Sequence, residues 1–476
     1  LNMGWLMLPL LLFIYSFKNQ GGDMEEVLVK NKMEVEPIKS LILKMSIPPL
    51  ISMCMQYSYN LLDCIFVSCV SEKSLSAVSI IFPITTLYIA IAIWIGVGVS
   101  VLVAKYLGEK DEEKANTIVA NGIIVSFVVS SLVTFITMNI MRGFILSFTS
   151  DPETIGLALE YMDICVFMAI PCAVHICIQK VLQGTGNMLA PMCFQIAGVL
   201  TNLIFDPILI FGYFGFKPMG VKGAAIATVM GYTVSTILAF LVLIFQKQKV
   251  KLGLKYFILR FNHIMDIFVV GFPSFIMNVL GAAMVYNTNL FLKQYSEIAI
   301  AFFGAYFKIQ QMVIMTLNGL IQGCIPVMSY NYGAKREDRL KESLKIGTIV
   351  AIILTSFSIV MLWTFTKNIL LTFNPPKEMF EFGIFGIRIM SLSYVFVGIT
   401  TMIASYMQST KNVGKSILIN LCRQLLVLVP VMFIGSKTLG LKGIWSAFLI
   451  TELICVVFSF VLYKNTKIDM ENIGSR

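Results

Sequence analysis

Two carboxylates stand inside stretches that are otherwise oily. Asp206 lies within residues 198–212, where almost every side chain is apolar. Asn202 precedes it by four positions, so on a helix the two share a face. An Asp at the centre of a membrane helix costs about 2.5–3.5 kcal/mol, so such a residue is neutralised, paired or used to hold an ion. Pro207 follows and has no backbone N–H, which leaves carbonyls of the preceding turn free for a ligand. Two readings fit. Asp206 is an ion-coupling centre, or it is a hydrogen-bonded structural residue near a helix end.

The second acid is Asp63, with Asn60 three positions before it on the same helix face and Tyr57 a turn earlier. Both acids fall in the outer half of the bilayer if their spans run outward. Two carboxylates at one depth, with Asn60 and Asn202 beside them, suit a proton. Their oxygen ligands equally suit a hard cation, so Na+ at Asp63, Asn202 and Asp206 is an open alternative. No enzymatic constellation competes. There are two histidines, His175 and His263, and no HExxH, GxxxxGK[ST] or GxSxG stretch. The ten cysteines form no CxxC pair and lie in or beside apolar spans, so they read as small buried hydrophobes. No cofactor is expected beyond H+ or Na+ as coupling ion.

The elements that must position these acids follow from composition. The 476 residues are 57% hydrophobic and 13% charged, with mean hydropathy +0.84, which marks an integral membrane protein. The net charge of +10 is spread over short loops, which argues against nucleic acid as a partner. Twelve spans are expected, at about 41–66, 75–104, 116–139, 157–179, 190–212, 223–245, 264–292, 299–328, 343–365, 382–406, 416–435 and 443–463. With both termini cytoplasmic, the outer loops carry only Lys73, Arg142, Lys217, Lys222, Lys293, Lys367, Lys377, Lys437 and Lys442; the remaining loop cations fall inside. Residues 1–23 stand apart. Their apolar run is short for a span, and Gln20 to Met24 can be encoded by a ribosome-binding site and a start codon. Translation is therefore expected to start at Met24, with 1–23 a non-native extension.

The chain repeats at an offset of about 225 residues. Pro48 matches Pro273, Lys110 and Gly122 match Lys335 and Gly347, and Gln183, Thr185 and Asn187 match Gln408, Thr410 and Asn412. Six spans per copy give two lobes of the same orientation, related by a pseudo-twofold along the membrane normal. The expected organisation is an N-lobe over 24–245, a cytoplasmic connector over 246–262 and a C-lobe over 263–476. The Lys spacing of the connector suggests a helix lying on the anionic inner leaflet. The lobes differ where it matters: Asp63 becomes Thr288, and Asp206 becomes Val431, or Val429 if Pro207 and Pro430 are aligned instead.

Other embedded polar residues are candidates for a substrate cleft: Tyr57, His175, Gln179, Asn278, Gln310, Gln311 and Asn318. Their ordinary role would be hydrogen bonding between helices. Arg423 and Glu452 are expected to pair across neighbouring helices as structure. Lys308 snorkels outward, pairs with Glu297 or faces the cleft.

Several short stretches carry a resemblance. They are Tyr59-Asn60-Leu61-Leu62-Asp63, the segment from Asn202 through Pro207, Tyr106-Leu107-Gly108-Glu109-Lys110, Asn331-Tyr332-Gly333-Ala334-Lys335, and the Gln183–Asn187 turn. On these residues, the chain from about 37 to 463 resembles the multidrug and toxic compound extrusion (MATE) family, nearest its bacterial DinF- and MepA-like branch. The resemblance implies a twelve-helix, two-lobed, V-shaped all-α membrane fold. It implies export of organic, often cationic compounds against inward H+ or Na+ flow, by a monomer in the bacterial cell membrane. It also implies that the N-lobe cation site maps to Asp63, Asn202 and Asp206. The acidic C-lobe cluster of another branch has no evident counterpart here. The alternative function is a flippase for a lipid-linked saccharide or another amphipathic lipid. Such a protein would favour a cleft rich in Arg and Lys, and the spans hold few.

Overall fold

A bilayer offers no water to backbone N–H and C=O groups, so an apolar chain crosses it as helices that satisfy those groups internally. The computed structural model describes residues 31–246, 248–371 and 376–466, and their regular structure is helical throughout, with no strand among them. The expected extension 1–23 lies outside the described residues. Among the described residues twelve helices are long and apolar enough to cross a membrane: α1 (Ile38–Ser68), α2 (Glu72–Gly108), α3 (Glu112–Leu146), α4 (Pro152–Gly184), α5 (Leu189–Phe211), α6 (Val221–Phe245), α7 (Phe261–Leu292), α8 (Glu297–Gly333), α9 (Glu337–Thr364), α10 (Glu378–Ser409), α11 (Val413–Leu439) and α12 (Leu441–Lys464). Every expected span has its helix, and most helices outrun it. The 37 residues of α2 measure about 55 Å against about 30 Å of hydrocarbon.

The chain divides into two compact units. One takes residues 31–36 and Ile47–Gly271; the other takes Pro37–Ser46 and the chain from Phe272 onward. Within each unit the same backbone devices recur at the sequence offset. Ser71 caps α2 with φ −166° and ψ 160°, accepting from the Ser74 N–H; Ser296 caps α8 with φ −165° and ψ 155°, accepting from the Ala299 N–H. Lys110 and Lys335 both adopt the left-handed conformation, at φ 61° and 56°, as do Gly186 and Lys411 at φ 90° and 58°. Packing repeats as well. A Cβ on Gly122 of α3 would meet Val99 and Cys177, and one on Gly347 of α9 would meet Cys324 and Met402. Each of these contact residues is the counterpart of the other at the same offset.

In the first unit a cluster around Ile81, Tyr88, Met162, Cys165 and Ala224 joins α2, α4 and α6. Seven of the ten cysteines are buried as expected; Cys54 and Cys64 on α1 and Cys69 just after it are exposed. In the second unit Phe302, Phe303, Tyr306, Tyr394 and Trp445 form the core, with the Tyr394 hydroxyl donating to that of Tyr306 at 2.8 Å. Arg423 sits in a π turn, Cys422–Leu426, that interrupts α11. Its Nε donates to Glu452 of α12 at 3.0 and 3.1 Å, and its Nη1 to Thr401 of α10 at 3.0 Å, so the expected pair is made.

The connector is not the surface helix that its Lys spacing suggests. Its described residues hold a single 3-10 turn, Leu254–Tyr256, before α7 begins at Phe261. Side chains of α3 substitute for helical hydrogen bonds. Asn116 Oδ1 accepts from the Lys251 N–H at 2.7 Å; Asn121 accepts from the Arg260 N–H at 3.2 Å and donates to the Ile258 carbonyl at 3.1 Å. Backbone groups satisfied in this way have no need of a helix.

Candidate functional site

Two helix faces build the site. On α5, Gln195, Gly198, Val199, Asn202 and Asp206 share one face at helical spacing, and on α6 so do Thr228, Gly231, Tyr232 and Ser235. The glycines let these faces approach. A Cβ on Gly231 would stand 2.7 Å from the Gly198 carbonyl oxygen, and one on Gly198 would collide with Ser235 Oγ. Small residues at a membrane helix crossing allow this backbone approach. Hydrogen bonds then tie the pair: Ser235 Oγ donates to the Phe194 carbonyl at 3.0 Å, and Asn202 Nδ2 donates to Thr228 Oγ1 at 3.2 Å.

These side chains line a pocket of about 290 Å³, counting its open mouth, together with Gln56 of α1 and His175 of α4. His175 is 4% exposed, wedged edge-on between Phe194 and Tyr232 at ring distances of 5.4 and 6.2 Å, and neither ring nitrogen has a hydrogen-bond partner. Gln179, one turn further along α4, donates Nε2 to Gln195 Oε1 at 2.6 Å.

Asp206 lies a turn beyond Asn202 on α5. Asp206 is completely buried, and neither carboxylate oxygen meets a donor. Asp63 Oδ1 and Asn202 Oδ1 are buried and unpartnered too. The charge of Asp63 acts on Asp206. Tyr59 interacts electrostatically with both, and Tyr161 of α4 with Asp63. Asp206, Asp63 and Asn202 thus hold four buried oxygens with unspent lone pairs. Such a set can hold a proton, or a hard cation that prefers oxygen ligands. No group of three or more His, Cys, Asp or Glu side chains that could hold a metal converges among the described residues.

Asn60 stands apart from this gathering. It is exposed on α1, its Oδ1 accepting from Gln56 Nε2 at 3.3 Å. Tyr57 is half-buried on the same helix. The remaining sequence candidates belong to the second unit. There Gln310 of α8 is buried with Oε1 unpartnered, Gln311 and Asn318 are half-buried, and Lys308 is exposed. Asn278 of α7 is exposed and donates to the Ser274 carbonyl of its own helix at 2.8 Å. Sequence reasoning missed Tyr59, Tyr161, Gln195, Thr228, Tyr232 and Ser235. The signal that finds four of them is the polar and small-residue face of α5 and α6.

Comparison with known proteins settles the family. The MatE profile matches residues 48–208 and then matches again over 273–434. The chain belongs to the MatE family. The two MatE matches begin at Pro48 and Pro273, the pair that opens the repeat, and only the first contains Asp63 and Asp206. The MatE chain is 25% identical over 423 residues to the multidrug export protein MepA of Staphylococcus saprophyticus, covering 88% of this chain and 91% of that protein. It is 24% identical over 428 residues to an FAD transporter of Shewanella oneidensis, covering 90% and 94%. Among solved structures it resembles the outward-facing conformation of a multidrug resistance MATE family transporter, with TM-score 0.86, 23% identity, and 94% and 98% of the two chains covered. A crystal structure of MATE in complex with MaL6 gives the same TM-score, with 94% and 99% covered. This MatE protein is therefore an all-helical, multi-pass membrane protein of a transporter family, not an enzyme.

Proposed function

We propose that this protein exports small organic, often cationic compounds across the bacterial cell membrane, driven by inward movement of H+ or Na+ through Asp206 and Asp63. The observation that carries the reading is Asp206: a fully buried carboxylate, both oxygens without a donor, beside a second acid and a pocket. A charge left in that state is costly, so binding a cation there releases free energy. The kinship with MepA, whose name records multidrug export, supports the substrate class.

In this reading a bound cation neutralises the first unit and biases which side of the membrane the protein opens to, by rocking of the two lobes. A ligand shifts such an equilibrium only by its differential affinity for the two states. The driving force is sufficient. One charge moving inward supplies about 2.3 kcal/mol per 100 mV, against about 1.4 kcal/mol for a tenfold substrate gradient. Both termini face the cytoplasm, and one chain suffices. The test is reconstitution in liposomes with a fluorescent cationic dye under an imposed pH or Na+ gradient. Uphill dye movement under one gradient supports the reading and names the ion. Dye movement indifferent to both gradients contradicts it.

A further inference from the structure

The second unit carries a cavity of its own, far in sequence from the acids. It opens to about 680 Å³, counting its free side, and lies between α9, α10 and α12. Its floor is apolar: Leu344 and Ile349 of α9, Ile399 and Ile403 of α10, and Phe460 of α12. Its mouth is basic. Lys341 and Lys345 stand one turn apart in the first turns of α9, with Tyr463 of α12 beside them. Lys464 follows at the end of α12.

Among the described residues, one of the two lysines at this mouth is ion-paired and the other is not. Lys341 pairs with Glu337 on its own helix at 2.5 Å. Glu342 lies on α9 next to Lys341, and among the described residues neither it nor any other acid forms an ion pair with Lys345. Tyr463 packs edge-on against Tyr406 with ring centroids 5.3 Å apart. Below the lysines the groove runs on into outward-facing apolar side chains, with Ile349 47%, Ile353 60% and Phe357 64% exposed at successive turns. Basic mouth, aromatic rim and oily floor therefore follow one another along the helix axis.

We propose that this groove is a binding site for an anionic phospholipid. One acyl chain lies over Ile349, Ile399, Ile403 and Phe460, and the phosphodiester sits against Lys345 and Lys341. The chemistry is that of basic pockets between membrane helices, which recognise anionic head groups at the interface. Long apolar stems also let Lys place its ammonium at head-group level. A zwitterionic lipid offers the same chains but no net charge for the lysines.

The test uses the full chain purified in detergent, with thermal unfolding followed at rising phosphatidylglycerol or phosphatidylcholine. Phosphatidylglycerol is expected to stabilise at about tenfold lower concentration, and Lys341→Gln with Lys345→Gln is expected to erase that difference while keeping the response to phosphatidylcholine. A Thr348→Trp variant, filling the groove, is expected to weaken the response to both lipids. An undiminished preference in the double lysine variant would overturn the proposal. So would equal stabilisation by glycerol phosphate, which has the head group and no chains.

Discussion

Asn202 and Asp206 occupy successive turns of one face of α5, and only the first is anchored: Asn202 donates Nδ2 to Thr228 Oγ1 at 3.2 Å, while no donor reaches either oxygen of Asp206. The amide is held still by its neighbour helix. The carboxylate beside it, with Asp63 near, keeps its oxygens for something that arrives. In the proposed function that contrast gives Thr228 and Asn202 a positioning role and Asp206 a binding role.

The approach of α5 to α6 is a precondition for this geometry, and it depends on Gly198. Gly198→Ala places a Cβ against Ser235 Oγ and 2.7 Å from the Gly231 carbonyl oxygen. Overpacking of this kind costs about 1–3 kcal/mol. Gly156→Ala is the control, since a Cβ there meets nothing within 4 Å. Thermal unfolding in detergent is expected to fall for the first variant and to hold or rise slightly for the second. Equal behaviour of the two would contradict the crossing as described.

The Arg423–Glu452 pair is a structural tie. Both residues are 8% exposed, and Thr401 and Thr400 complete their hydrogen bonds. Arg423→Ala strands a buried carboxylate and is expected to cost about 3–5 kcal/mol. Replacing both, Arg423→Met with Glu452→Leu, is expected to restore most of that loss. If the double variant unfolds no later than the single one, the tie is more than structural.

Outside the membrane spans, Lys249 in the connector gives a pH signature. Burial, with Lys32 nearby, brings its ammonium down from 10.5 to about 8. Between those values the unfolded chain binds more protons than the folded one, so stability rises with pH across that window. The penalty is fully present below pH 8 and relieved as the pH approaches 10.5. Lys249→Gln is expected to unfold at higher temperature than the parent near pH 7, and the gap is expected to close by about pH 10. A gap that stays constant with pH would show that Lys249 is not buried as described.

The sequence made some of this legible and hid the rest for physical reasons. Twelve spans are readable because lipid leaves an apolar segment only one way to satisfy its backbone. Asp63, Asp206, Arg423 and Glu452 are readable because charges are rare at such depth. Thr228, Tyr232 and Ser235 are not, because a hydroxyl can bond back to its own helix and so passes unnoticed in any span. Their meaning comes from Gly198 and Gly231, which set two backbones close. Asn60 misled because its three-residue spacing from Asp63 suits a shared face, yet its amide is exposed and bonded to Gln56. The connector misled because lysine spacing says nothing of Asn116 and Asn121, which capture its backbone from another helix.

The most direct test of the central claim sets the parent protein beside Asp206→Asn in the same liposomes, with dye binding measured separately on each purified protein. The amide keeps the shape and removes the charge. Dye affinity is expected to stay within about threefold, a shift under 1 kcal/mol, while uphill transport under either ion gradient disappears. Uphill transport at the parent's rate in Asp206→Asn would contradict the account.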